Sequence, residues 1–234
     1  MSKPLKRTIA SSPLVTACSS QTMKKLTRAD YNGYRESLKE IEKIRQSQKR
    51  PTLCMHVCCA PCSCWPLEFL KDFDVTIYYT NSNIYPSEEY WRRLNELKQF
   101  LKDHHPEVKL IVSDYDNETY TQKISLFKDE PEKGRRCIMC YGLRMHEAYQ
   151  YAHDHHFDYF TTVMTISRQK DSKVLNHIGM QLSNKFTNTK YFVSDFKKAD
   201  GNVKGNKIAA ERGMYRQDYC GCIYSYNQRH STEK

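Results

Sequence analysis

Leu53-Cys54-Met55-His56-Val57-Cys58-Cys59-Ala60-Pro61-Cys62 is the stretch whose reading decides the fold. Its first five residues are a short apolar run of strand length, and two adjacent cysteines follow at once. Runs of the same kind recur at residues 75–79, 108–112, 159–166 and 191–193, rich in β-branched and aromatic side chains. Helical stretches separate them, at residues 65–71, 87–104, 120–127, 138–155 and 171–182. Ser87 is expected to cap the second of these, with Glu88 and Glu89 in the first turn where the helix dipole favours carboxylates. Short apolar strands alternating with helices predict an α/β fold, a largely parallel sheet covered on both faces by helices. Such sheets bind ligands beyond the carboxyl ends of their strands. Cys58 and Cys59 fall at that end of the first strand.

Upstream, Tyr31, Tyr34, Leu38, Ile41 and Ile44 recur at helical spacing, predicting a helix from Thr27 to Gln48 that Pro51 ends. Val15-Thr16-Ala17-Cys18 has the look of a lipoprotein cleavage box, but residues 8–14 before it are too polar for a signal sequence. The chain therefore divides into a disordered extension (residues 1–25), an N-terminal helix (26–50) and a single metal-binding catalytic domain (51–230). Within that domain a Lys/Gly-rich loop precedes a Cys/Tyr-rich C-terminal segment. No stretch approaches the roughly 20 apolar residues of a membrane span, and a cytoplasmic protein is expected. In a reducing compartment the 10 cysteines point to metal binding or catalysis before disulfides. Lys and Arg number 37 against 27 acidic residues, a formal charge of +10 that points to a polyanionic partner, nucleic acid first.

Cys137-x-x-Cys140 can aim two sulfurs at one metal, and Cys58 with Cys59 completes four thiolates, the number that suits a [4Fe–4S] cluster or a zinc ion. Adjacent cysteines make an awkward knuckle for one small ion but can reach different irons, which favours the cluster. Arg135 and Arg136 would stabilise the thiolates. Cys62 and Cys64 are close enough to serve as replacement ligands, whereas Cys18 and Cys54 read as small hydrophobes. Cys220-Gly221-Cys222 can close a strained, easily reduced disulfide ring and relay two electrons, or can supply further metal ligands or buried thiols.

His56 points to the same side of its strand as Cys54 and Cys58, as a proton donor, a second metal ligand or a core histidine. Asp195 and Asp114 each follow a strand and are alternative proton donors or metal ligands, or loop residues. The imidazoles at 153, 155 and 156 read as a solvated helix end. For RNA contact the candidates are Arg136, Arg144, Lys197, Lys198 and Arg216, with Arg135, Arg168, Lys170, Lys204 and Arg212 nearby in sequence. Tyr215, Tyr219, Tyr224 and Tyr226 could stack on unpaired bases.

Taken in order, five segments resemble the cobalamin-independent epoxyqueuosine reductases of the QueH type. They are His56-Val57-Cys58-Cys59-Ala60-Pro61-Cys62, Asn83-Ile84-Tyr85-Pro86-Ser87-Glu88-Glu89-Tyr90, the run from Arg136 to Arg144, Ser194-Asp195-Phe196-Lys197-Lys198, and the run from Met214 to Ser225. The resemblance implies a Rossmann-like domain, a [4Fe–4S] cluster on Cys58, Cys59, Cys137 and Cys140, an adjacent mononuclear iron, and a redox-active pair at Cys220 and Cys222. The implied reaction is the last step of queuosine synthesis, reduction of an epoxide on the wobble base of tRNA, with electrons from a reductase or a ferredoxin- or flavodoxin-type donor. A zinc-stapled RNA-binding module without catalysis is the alternative. A nucleotide-dependent tRNA-modifying enzyme is disfavoured, because Cys58-Cys59-Ala60-Pro61 stands where a glycine-rich phosphate loop would lie.

Overall fold

The computed structural model describes residues 32–231. The 1–25 extension and the expected helix start at Thr27 lie outside the described residues. The first described helix, α1 (Gly33–Ser47), begins where the Asn32 side chain accepts from the Arg35 backbone N–H.

Five strands form one sheet: β1 (Thr52–His56), β2 (Asp74–Tyr79), β3 (Lys109–Val112), β4 (Tyr159–Thr162) and β5 (Lys190–Tyr191). Their order is β3-β2-β1-β4-β5 and every pairing is parallel. Seven more helices accompany α1 among the described residues: α2 (Ala60–Phe69), α3 (Ser87–His104), α4 (Asn117–Ile124), α5 (Arg135–Asp154), α6 (Ser172–Ser183), α7 (Gly201–Glu211) and α8 (Ile223–His230). The period-two alternation of β1 sorts its side chains between two cores. Leu53 and Met55 join residues of α1, α2, α3 and α7, while Cys54 joins residues of α5 and α6.

This topology fixes where a site can be. From β1 the chain winds outward through α2, β2 and α3 to β3, then returns through α5 to β4 on the other side of β1. Strand order reverses between β1 and β4, so the connections leaving their carboxyl ends diverge to opposite faces and open a crevice.

Several expected boundaries shift for local reasons. Pro86, not Ser87, occupies the N-cap of α3. The run expected as a strand over 159–166 leaves the sheet after Thr162 and tightens into a 3-10 turn at Val163–Ile166, where the Thr162 side chain accepts from the Met164 N–H. The Lys/Gly-rich loop is in part a helix, α7. Gly201 lets it seat closely: a Cβ there would lie 2.0 Å from the Phe196 carbonyl and 2.5 Å from Trp65 Nε1.

Candidate active site

The loop leaving β1 turns at once into α2, whose N-cap is Cys59. Cys58, Cys59 and Cys62 therefore wrap the N-terminus of one helix, and their sulfurs lie within 4.8 Å of one another, a group that could hold a metal ion. Cys58 Sγ and Cys59 Sγ are 3.9 Å apart. Hydrogen bonds from Cys59 and Cys62, and then the charges of Arg144 and Lys170, drive the Cys58 thiol well below its ordinary pKa, so Cys58 carries the thiolate of the group. Cys59 is correspondingly pushed up to about 12, chiefly by its bond to Cys58.

Cys137 and Cys140 sit in the first two turns of α5, which returns across the sheet from β3. Burial raises both thiols, Cys140 to about 12. Each sulfur nevertheless accepts a hydrogen bond: Cys137 from the Lys133 backbone N–H at 3.2 Å, Cys140 from the Tyr120 hydroxyl at 3.2 Å. Gln217 Nε2 likewise donates to Cys59 Sγ at 3.4 Å. N–H and O–H donors aimed at cysteine sulfurs are the contacts that stabilise and tune thiolate ligands.

A cavity of about 750 Å³ opens at this edge of the sheet. Cys58, Cys62 and Cys220 reach it from the thiols, and Arg93, Arg144 and Lys170 from the cations. A narrower cleft beside it is lined by Cys137, Cys140 and Cys222, and the two share Cys220 and Tyr141 in their walls. Arg144 feels both cysteine groups. It is 3% exposed, its guanidinium donates to Asn81 Oδ1 at 2.6 Å, and the anionic forms of Cys140 and Cys58 raise its pKa against the opposing effect of burial. Burial also opposes the charge of Lys170, but Cys220 and Cys58 together raise its pKa, so it faces the cavity as an ammonium.

Cys220 and Cys222 are both thiols. Gly221 between them takes φ +124, a conformation suited to glycine, and a Cβ there would meet the Arg93 guanidinium at 3.2 Å. The segment after β2 grips this turn. Tyr85 N–H donates to the Gly221 carbonyl at 2.7 Å, Arg93 reaches the Cys220 carbonyl at 3.5 Å, and the Tyr219 hydroxyl donates to the Tyr85 carbonyl. Arg93 is itself fixed by Glu89 at 2.6 Å, one helical turn away.

The remaining expected site residues fall differently. His56 is fully buried at the end of β1, with Nδ1 2.8 Å from Thr162 Oγ1. Burial, followed by the Arg144 charge, pushes it down to about 3, so the imidazole is neutral. Asp195 accepts from Ser172 Oγ at 2.8 Å and pairs with Lys197 at 3.1 Å, tying the end of β5 to the start of α6. Of the expected RNA contacts, Arg144 is inside the site and Arg136 is buried at 5%, holding the Lys128 carbonyl at 2.8 Å over the Tyr224 ring. Lys197 is committed to Asp195, whereas Lys198 and Arg216 are exposed, and Arg216 lines the cavity. Tyr215 lies under Arg92 at 3.4 Å, and Tyr219 packs on Tyr226, so these rings stack within the protein. Arg93 and Gln217 were not expected at the site. Both lie in or beside the quoted segments, but neither carries a residue type that singles it out.

The fold and the site together define an α/β protein with a thiol-rich, cationic centre at the switch point of a parallel sheet. Comparison with known proteins agrees. A family model described as epoxyqueuosine reductase QueH matches residues 53–228. The chain is 38% identical to the epoxyqueuosine reductase QueH of Streptococcus pyogenes serotype M1, over 82% of this chain and 78% of that protein. It is 34% identical to that of Staphylococcus epidermidis over 88% and 89%, and 29% identical to that of Thermotoga maritima over 76% and 92%. The chain belongs to the epoxyqueuosine reductase QueH family.

Proposed function

We propose that this protein reduces the epoxide of epoxyqueuosine at the wobble position of tRNA, giving queuosine in the last step of that nucleoside's synthesis. The observation that carries the reading is that Cys58, Cys62 and Cys220 line one cationic cavity at the carboxyl edge of the sheet, with Cys137, Cys140 and Cys222 in the cleft directly beside it. The formal charge of +10 suits a polyanionic substrate. Among the described residues no helix is long and apolar enough to cross a membrane. Ten cysteines suit a reducing, cytoplasmic setting.

Cys58, Cys59, Cys137 and Cys140 are the residues that would hold a [4Fe–4S] cluster. The donor set fits it: three of these sulfurs accept hydrogen bonds from Gln217, Lys133 and Tyr120, and the buried Arg144 cation is coupled electrostatically to a cysteine of each pair. Cys62 is left over as a thiol for the adjacent iron. Bound there, such a group supplies single-electron transfer and a Lewis acid for the departing oxygen.

The protein's own part is positioning and proton supply. Arg93 and Arg144 hold negative charge in a largely buried site without leaving it. Lys170, an ammonium on the cavity wall, is better placed than neutral His56 or ion-paired Asp195 to protonate the departing oxygen. Cys220 and Cys222 close the balance: the dithiol gives two electrons and two protons, one of them restoring the proton that Lys170 delivers, and becomes a disulfide, while both C–O bonds of the epoxide break, the alkene forms and water leaves. An external reductase, or a ferredoxin- or flavodoxin-type donor, then restores the dithiol.

One observation favours the zinc-stapled, non-catalytic reading. Two thiolates on a tetrahedral zinc with 2.3 Å bonds lie about 3.8 Å apart, and Cys58 and Cys59 are at 3.9 Å. Nucleoside mass spectrometry of tRNA after anaerobic incubation with reduced protein decides the function. The proposal expects epoxyqueuosine to lose one oxygen and appear as queuosine. Unchanged epoxyqueuosine under turnover with protein that binds the tRNA supports the non-catalytic module.

A further inference from the structure

A second cavity, of about 310 Å³, adjoins the first and shares Cys62, Ser167, Arg216 and Gln217 with it as a common wall. Its far side is one face of α7, where Asn202, Gly205 and Asn206 stand at i, i+3 and i+4. Gly205 keeps that face low, which leaves the carboxamides of Asn202 and Asn206 as its polar groups. Asn202 Nδ2 is buried without a hydrogen-bond partner, a donor that costs stability unless something accepts from it. At the rim stand Arg168 and Arg216, both exposed and both without an ion-pair or hydrogen-bond partner among the described residues. No carboxylate lines this cavity, whereas Glu132 and Asp218 line the larger one.

Two free guanidiniums and three carboxamides around a space of this size match a single nucleotide. Guanidiniums take a phosphate, and Asn and Gln side chains, each with a donor and an acceptor, read a base edge. We propose that this cavity is a subsite for the nucleotide next to the modified base in the same RNA strand. Arg168 and Arg216 bind the phosphate between the two nucleotides, and Asn202, Asn206 and Gln217 bind the neighbouring base. The inference rests on the tRNA-reductase reading, since the larger cavity must hold the modified base. Gln217 then has two contacts, one with the neighbouring base and one with Cys59 Sγ at 3.4 Å. The presence of the correct neighbour is thereby felt at a sulfur of the redox site.

The test is a double-mutant cycle on binding of the metal-loaded protein to a labelled anticodon stem–loop. One arm replaces Asn202→Ala; the other removes the base, but not the phosphate, of the nucleotide on each side of the target in turn. Asn206→Ala changes only an exposed side chain and repeats the first arm without touching the packing of α7. Asn202→Ala is expected to weaken binding about tenfold, the loss for one amide–base contact, and removal of the base it contacts, which ends all three carboxamide contacts, by at least as much. On one side of the target the combined change is expected to weaken it no further, because both remove the same contact. Full additivity on both sides, or no effect of either change while the wild type still converts epoxyqueuosine in whole tRNA, overturns the subsite and leaves the reductase reading standing. A wild type that binds no stem–loop and converts no tRNA overturns both.

Discussion

Arg144 is a guanidinium at 3% exposure that donates to the neutral Asn81 Oδ1. A buried cation is tolerated only where anions or strong acceptors compensate it, and Cys140 and Cys58 are the sulfurs whose thiolate forms, as metal ligands, would act on it most. Replacing it as Arg144→Met removes that match, and metal retention, measured as iron per chain after gel filtration against a chelator, is expected to fall about tenfold or more. His56 gives a pH prediction with a definite sign. Its folded pKa of about 3 lies below the ordinary 6.5, so the unfolded chain takes up a proton that the folded chain refuses. The associated stability is present above pH 6.5 and is lost as pH falls toward 3, at about 1.4 kcal/mol per pH unit. Urea unfolding of the metal-free protein at pH 7 and pH 5 is expected to show a steeper loss for the wild type than for His56→Gln. A core position was one of the readings the sequence allowed for His56, whereas Arg144 read only as an RNA contact. A basic residue on a helix reads as surface until the fold buries it.

At the scale of elements, the strands were legible because β1 and β2 carry continuous apolar runs, as strands covered on both faces must. The helix α7 was not. Gly201 and Gly205 weaken its intrinsic propensity, and its lysines and asparagines look like a loop. What makes it helical is tertiary: close packing on α2, with Trp65 against both glycines. Gly201→Ala is therefore expected to destabilise the protein by about 1–3 kcal/mol, the cost of overpacking, despite alanine's better helix propensity. Chemical denaturation measures it, and a gain in stability would mean that α7 can shift outward without loss. The β4 segment shows the same limit in the other direction. Its apolar character continues to Ile166, but the Thr162 side chain turns the chain out of the sheet and sets Ser167 and Lys170 on the cavity wall.

Across the whole molecule, the parallel topology brings together cysteines that are far apart in sequence: the group after β1, the pair opening α5, and the turn before α8. Each group was legible as a tight motif, and the carboxyl-edge rule placed the first. The cavity shared by the first group and the turn depends on Arg93, Lys170 and Gln217, ordinary residues whose role follows only from where the chain folds. The division of labour among the cysteines gives a further expected outcome. Cys220→Ser is expected to keep the wild-type iron content and lose multiple-turnover activity by about tenfold or more, in line with removal of a group that acts in the chemical step. Loss of iron together with activity would make Cys220 a ligand. Iron, zinc and acid-labile sulfide per chain in anaerobically purified protein test whether Cys58, Cys59, Cys137 and Cys140 hold an electron-carrying cluster, as proposed. About four sulfides with at least as many irons per chain are expected, lost in Cys58→Ala and in Cys137→Ala; one zinc and no sulfide would overturn the cluster.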